Sequence, residues 1–391
     1  MAIAPPGRGS GYWAGGPSAV LADEGVYLAY RLRRPVGSGR GYAVALAFAR
    51  DGVNFETLAL IGKEEMDTES LERPELVRLP DGQWRLYLSC ATTGTKHWRV
   101  EVTDATHPAE FDVRRREIVL PGDVRKRAVK DPVIQHHGGL WHMWATIHPL
   151  ADPLETDQMT TEYATSADGL DWTWQGTALC GRPGEWDARG TRVTAVRFGG
   201  QSVTAYYDGR ASAAENYEER TGVALGTDPA ALIAAPGAGP AVSSPYHGGG
   251  LRYLELLNLP DGRTRLYYEM TQPDGSHALV TELRSRFPRL GGLLAAAVLG
   301  LALAGRAGAD QAAGPGPRRE PVAEVLAEHL LQELDVVLEL RQQRLALVPA
   351  ERLTFPAVAL TRPSPLRSPN PSFISAATIW PRISASDTPI S

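Results

Sequence analysis

Residues 130–147 read Lys-Asp-Pro-Val-Ile-Gln-His-His-Gly-Gly-Leu-Trp-His-Met-Trp-Ala-Thr-Ile. A short apolar run, a Gly-Gly turn and an aromatic-rich run follow one another, and both runs suit strands rather than a helix. Two more strand-like runs, 160–166 and 172–175, precede the next apolar segment. Four short strands joined by tight turns, with no helix between them, describe one blade of a β-propeller.

The same layout recurs on both sides of this stretch. Segments beginning Gly-Pro-Ser-Ala-Val at Pro17, Arg-Pro-Glu-Leu-Val at Pro74, Asp-Pro-Val-Ile at Pro132, Arg-Val-Thr-Ala-Val at Val193 and Gly-Leu-Arg-Tyr-Leu at Leu251 are spaced by 57, 58, 61 and 58 residues. A fixed period of this kind marks a repeat architecture, and five units predict an all-β, five-bladed β-propeller within residues 1–286. Second strands align at 26–30, 84–89, 140–145, 202–207 and 264–269. Asp-Gly pairs at Asp51, Asp81, Asp168, Asp261 and Asp274 sit at hairpin positions, where glycine relieves the need for positive φ. Before residue 286 the one weak helical signal is the Ala-rich stretch 230–235. The fifth unit runs out after a third strand near Glu282, so residues around Tyr12 and Trp13 are expected to close the ring.

Beyond residue 286 the repeat stops and Ala, Leu, Pro, Arg and Ser dominate. Residues 291–305 form an uncharged run shorter than the ~20 residues that usually span a bilayer. Val325, Leu326, Leu330, Leu334, Val337 and Leu338 fall at helical spacing, and the Pro/Ser-rich segment from 349 onward is expected to be disordered. Residues 287–391 therefore read as an unrelated tail, with helices near 290–305 and 322–348.

A formal net charge of -5 provides no basic field for nucleic acid or an anionic membrane. A neutral or weakly charged ligand fits better. Cys90 and Cys180 are too few for a disulfide framework and read as buried thiols. The first 16 residues lack a charged segment followed by an apolar one, so a cytoplasmic protein is expected.

In a propeller the starts of the innermost strands crowd around one axial funnel. Here they supply Gly16, then Glu72, Arg73 and Glu75, then Lys130 and Asp131, then Thr191 and Arg192, then His247 and Arg252. Carboxylates opposite basic groups, with aromatics such as Trp13 nearby, suit a sugar. Tyr206-Tyr207-Asp208-Gly209-Arg210 and the charged connection through Glu215, Glu218 and Glu219 add Asp208 as a positioned carboxylate. His136, His137, His142 and His148 are dense, but strand alternation sends them to different faces and no metal site is expected from them.

These strand starts resemble the five-bladed propeller glycosidases, the arabinanase, xylosidase and invertase superfamily of families 43 and 32, over residues 10–286. In the family 43 pattern Asp-Pro opens the first blade with a general base, Asp-Pro opens the third, and Glu-Gly-Pro opens the fourth with the general acid. Lys130-Asp131-Pro132 matches the third motif. Gly15-Gly16-Pro17 and Thr191-Arg192-Val193 stand where the other two are expected. The resemblance implies a glycoside hydrolase-like protein acting on a carbohydrate in the axial funnel, with a rearranged carboxylate set of Asp131, Glu75 and Asp208. It implies Glu72, Arg73, Lys130, Arg192, Arg210, Glu215, Trp13 and His247 as substrate contacts. Some family 43 members place a histidine near an axial calcium, which makes His247 the corresponding position. Because hydrolysis ordinarily needs two carboxyl groups across the scissile bond, a non-catalytic carbohydrate-binding propeller is the alternative. Arg73, Lys130 and Arg192 converging on the axis would be costly unless carboxylates or an acidic sugar offset them. A weaker similarity, of Ser166-Ala167-Asp168-Gly169-Leu170-Asp171-Trp172 to the sialidase Asp-box, is one residue short in spacing.

Overall fold

The computed structural model describes residues 1–200, 202–235 and 239–284. These are all-β: nineteen strands and no α-helix among the described residues. The first group is β1 (Trp13–Ala22), β2 (Gly25–Arg33), β3 (Gly41–Ala49) and β4 (Glu56–Gly62). The second is β5 (Glu75–Arg78), β6 (Trp84–Ala91), β7 (Trp98–Ala105) and β8 (Glu117–Leu120). The third is β9 (Arg127–His137), β10 (Leu140–Pro149), β11 (Thr160–Ser166) and β12 (Thr173–Leu179). The fourth is β13 (Gly190–Gly199), β14 (Ser202–Arg210), β15 (Arg220–Asp228) and β16 (Ala231–Ala234), and the fifth is β17 (Leu251–Asn258), β18 (Thr264–Thr271) and β19 (His277–Arg284). Within each group successive strands pair antiparallel in chain order.

The groups stack face to face because their middle strands are apolar on both sides; β6, for example, is buried along its whole length. Trp84, Leu86 and Leu88 of the second group meet Tyr27, Val44 and Leu46 of the first. Equivalent clusters join the second group to the third, the third to the fourth and the fourth to the fifth. A fifth cluster returns Leu257, Tyr267 and Leu279 to Leu28, Tyr30 and Ala45 of the first group. Each fully buried Leu or Phe-sized side chain contributes about 1.5–3 kcal/mol, so the clusters supply the main cohesion. The first strands contact one another cyclically: β1 with β5, β5 with β9, β9 with β13, β13 with β17, and β17 with β1.

Closure uses both chain ends of this ring. Trp13 pairs in parallel with His277, the His277 N–H donates to the Tyr12 carbonyl at 3.0 Å, and Ile3 bridges Leu279. The contact around Tyr12 and Trp13 is the expected one, whereas Ile3 carries no sequence signal. All five Asp-Gly pairs are turns with left-handed glycines. In each, the Asp carboxylate accepts the N–H two residues on, at 2.8–3.0 Å. The Asp-box-like segment is one of them, so Asp168 is a turn residue.

Three expectations change. Residues 231–234 are strand β16 rather than helix, because the Ala-rich run supplies an outer edge that pairs with β15. Strands β9 and β13 start several residues earlier than the apolar runs suggest, which puts Asp131 and Arg192 inside strands. Cys90 is buried but Cys180 is exposed, since it follows the outer strand β12 rather than lying on an inner one. Among the described residues no helix is long and apolar enough to cross a membrane. The tail expected at 287–391 lies outside the described residues.

Candidate ligand site at the start of the central strands

The first strands do not run straight through the ring. Pairing register shifts in β1 between Gly15 and Ser18, in β13 between Val193 and Ala195, and in β17 between Arg252 and Glu255. Strand β9 shifts opposite Trp144 and Thr146. Gly16, Asp131 and Tyr253 occupy these irregular stretches with φ of 59°, 51° and 53°. Bulges of this kind re-aim a side chain, and a non-glycine residue in the left-handed region costs on the order of 1–3 kcal/mol. Several contacts hold Asp131 and Tyr253: the Tyr253 hydroxyl donates to Asp131 Oδ2 at 3.2 Å, the Arg73 N–H to Asp131 Oδ1 at 3.2 Å, the Asp131 N–H to Ser89 Oγ at 2.9 Å and the Tyr253 N–H to Asp208 at 3.0 Å.

Around that pair lies a buried ionic network. Arg192 donates to Asp208 at 2.7 Å, lies 3.5 Å from Asp131, and stacks on the Tyr253 ring at 3.9 Å. Arg252 donates to Glu269 and to Glu219, both at 2.7 Å, and Arg210 donates to the other Glu219 oxygen at 2.6 Å. Arg31 bonds Glu72 and also Glu269, the latter at 2.6 Å, while Arg33 reaches Glu72 at 3.1 Å. Lys130 lies 3.4 Å from Asp131. Arg192 faces Asp208 directly across β13 and β14, and Arg252 faces Glu269 across β17 and β18. The repeat therefore places the same cross-strand ion pair twice.

Burial alone would raise the Glu72 carboxyl, but Arg31, Lys130 and Arg33 outweigh it and hold the group well below the ordinary range. Glu219 is likewise lowered, by Arg252, Arg192 and Arg210 acting against burial, and Glu269 by Arg252 and Arg31. Asp208 differs. Burial outweighs Arg192 there and pushes it up to about 6. A cavity of about 40 Å³ opens among Arg31, Arg33, Glu72, Lys130, His148, Arg192, Arg210, Tyr217, Glu219 and Arg252. That is room for water or one small polar group rather than a whole sugar ring.

The missing first-group carboxylate has a physical explanation. A Cβ built on Gly15 would overlap the Glu269 carboxylate. Strand β18 therefore supplies a carboxylate to the space that a side chain from Gly15 would fill, and Gly15 must stay bare.

Several residues expected at the ligand lie elsewhere. Arg73 is a central tie: its guanidinium donates to the carbonyls of Pro17 on β1, Pro132 on β9 and Thr194 on β13, and to Glu255 on β17. Glu75 does not pair with Asp131. It accepts the Ile134 N–H at 2.9 Å and lies 2.8 Å from Arg73, at the far end of the central strands. Glu75 and Glu255 line a separate cavity of about 360 Å³ there. Burial outweighs Arg73 at both, raising Glu75 and pushing Glu255 up to about 8. Trp13 is covered, stacked on His277 at 4.8 Å and under Arg33 at 4.2 Å. Glu215 receives Ala211 N–H and Arg220 in an outer loop, and His247 is exposed and bonded to the Pro273 carbonyl. Both sit in long connections whose direction no strand period sets.

Asp131, Asp208, Glu72, Lys130, Arg192 and Arg210 are brought together. Arg31, Arg33, Glu269 and Tyr253 were missed. Three of them had a signal: Arg31 and Glu269 lie at the second-strand position that Asp208 holds, and Arg33 at that of Arg210. The residues do not fit an axial calcium, because every carboxylate that lines or backs the cavity faces a guanidinium or ammonium group, and His247 points its nitrogen at a carbonyl.

No protein-family model and no curated protein sequence matches the chain. Solved structures do. A thermostable family-43 glycoside hydrolase aligns at 14% identity over 78% of this chain and 96% of its own, with a TM-score of 0.54. β-1,2-Mannobiose phosphorylase from Listeria innocua aligns at 14% identity over 73% and 92%, with a TM-score of 0.52. α-L-Arabinofuranosidase from Lactobacillus brevis aligns at 13% identity over 69% and 90%, also at 0.52. At these identities the likeness shows a shared fold.

Proposed function

We propose that the five groups are the blades of a five-bladed propeller spanning residues 1–286, that 287–391 is a separate tail, and that the start of the central strands is a carbohydrate-binding funnel without standard two-carboxylate hydrolysis. One observation carries this reading. The two carboxylates that line the cavity, Glu72 and Glu219, are each bonded to two arginines. Protonation of a leaving glycosidic oxygen needs a carboxyl that still holds its proton at the working pH, and these two do not. The fold of the structural neighbours and the density of polar donors support a sugar as the ligand class.

Asp208 favours a second reading. Pushed up to about 6, it stands directly behind Arg192, and displacement of that guanidinium by a ligand would expose an acid. Hydrolysis would then pair Asp208 with Glu72 or Glu219 as base. The test is a screen of the full chain against aryl glycosides and oligosaccharides, read by turnover and by ligand-induced thermal stabilisation. Stabilisation without turnover supports binding alone; turnover abolished by Asp208→Asn supports hydrolysis; neither signal with any sugar overturns both.

A further inference from the structure

Five of the side chains that line the start-end cavity keep a buried nitrogen without a partner: Nε of Arg31, Arg33 and Arg210, Nη2 of Arg252 and Nε2 of His148. An unmade hydrogen bond on a buried polar group costs on the order of 1–3 kcal/mol, and more on a charged one. Four such donors on arginines around one cavity are expensive unless a ligand completes them. Only two carboxylates, Glu72 and Glu219, share this lining with six cations. Asp131, Asp208 and Glu269 add three from behind, and Asp157, which Arg189 also holds, lies 3.9 Å from Arg210.

His148 contributes the opposite polarity. Its Nδ1 lies 3.1 Å from the Thr156 carbonyl, and a carbonyl only accepts, so Nδ1 carries the hydrogen. Burial and Lys130 depress the imidazole to about 3, which leaves Nε2 a bare lone pair. It calls for a hydroxyl donor beside the guanidinium groups.

We propose that this cavity seats a small oxyanion, carried by the sugar as a carboxylate with a neighbouring hydroxyl, so that the ligand class is an acidic saccharide of the uronic type. The inference rests on the carbohydrate reading above and names its substrate class. The volume of about 40 Å³ matches one such group, with the rest of the sugar lying outside toward Tyr217 and Asn216.

The test is calorimetry on the full chain with matched pairs of neutral and uronic oligosaccharides, inorganic phosphate as the free-oxyanion probe, and Arg33→Gln as the variant. The expected result is at least tenfold tighter binding of the uronic member, with that preference reduced about tenfold in Arg33→Gln. The comparison of ligands on the unaltered chain needs no variant to fold. Equal or tighter binding of the neutral member overturns the oxyanion seat and leaves the carbohydrate reading intact. Phosphate binding with no sugar bound upholds the seat and overturns the carbohydrate reading. No binding by any probe overturns both.

Discussion

At the start of the central strands each lining carboxylate faces two arginines and is held ionised; at the far end two carboxylates, Glu75 and Glu255, divide one arginine, and burial prevails at both. The two ends use the same residue types and differ in the ratio of guanidinium to carboxylate. That ratio decides whether a buried acid keeps its proton, because desolvation acts on every carboxylate and only a second cation overcomes it. One end is therefore a fixed array of charge and the other a place where a proton is stored. Arg73 lies between them and belongs energetically to both.

Arg73→Leu is the largest test of this contrast. Removing the tie breaks bonds to four central strands and leaves Glu75 and Glu255 facing each other, and the expected loss is about 3–5 kcal/mol or more in urea unfolding. A loss under about 1 kcal/mol would mean that the two ends are not joined through this side chain. Gly15→Ala comes next. The new methyl collides with Glu269, and an overpacking cost of about 1–3 kcal/mol is expected, with thermal unfolding as the readout.

The pH response separates the ends by sign. Glu255 binds its proton more tightly folded, at about 8 against the ordinary 4.5. Its stabilisation is complete below the ordinary value and is lost as pH rises through 8. Glu72, Glu219 and Glu269 bind theirs less tightly folded, so their stabilisation is present above the ordinary value and is lost as pH falls below it. Glu255→Gln should flatten the decline in stability between about pH 5 and about pH 9, by at most about 1.4 kcal/mol per pH unit, measured from urea midpoints. An unchanged slope would remove the proton from the far end. The smallest effect is expected at Glu215→Gln, under about 1 kcal/mol and without change in ligand affinity, because that carboxylate serves an outer loop.

The repeat and its turns were legible because strand alternation and Asp-Gly chemistry are local. So were Asp131, Lys130 and Arg192, which sit beside recognisable first-strand motifs. The side chain directions of Arg73 and Glu75 were not, since a register shift of one residue sends a side chain to the other face, and no local pattern shows where a first strand bends. Arg31 and Glu269 were hidden for a different reason. They act at the ends of second strands, where the sequence gives a charged residue in some units, Ser89 or Thr146 in others, and no constant motif. Tyr253 looks like an ordinary strand aromatic until its positive φ turns it across the ring.

The clasp between Trp13, Ile3 and the strand His277–Arg284 also governs time. The first group is made early, yet the surface of Leu28, Tyr30 and Ala45 that meets Leu257, Tyr267 and Leu279 has no cover until the last group has been synthesised. At about 5–20 residues per second that wait is on the order of tens of seconds. During it an apolar face and an unpaired strand edge stand open on the nascent chain. Because the contact joins opposite ends of the domain, its loop-closure cost falls late and folding should be slow for its size. The ring is then a nascent chain's problem before it is a ligand's container, and sheltering of the unclosed first group during synthesis becomes part of what this architecture requires.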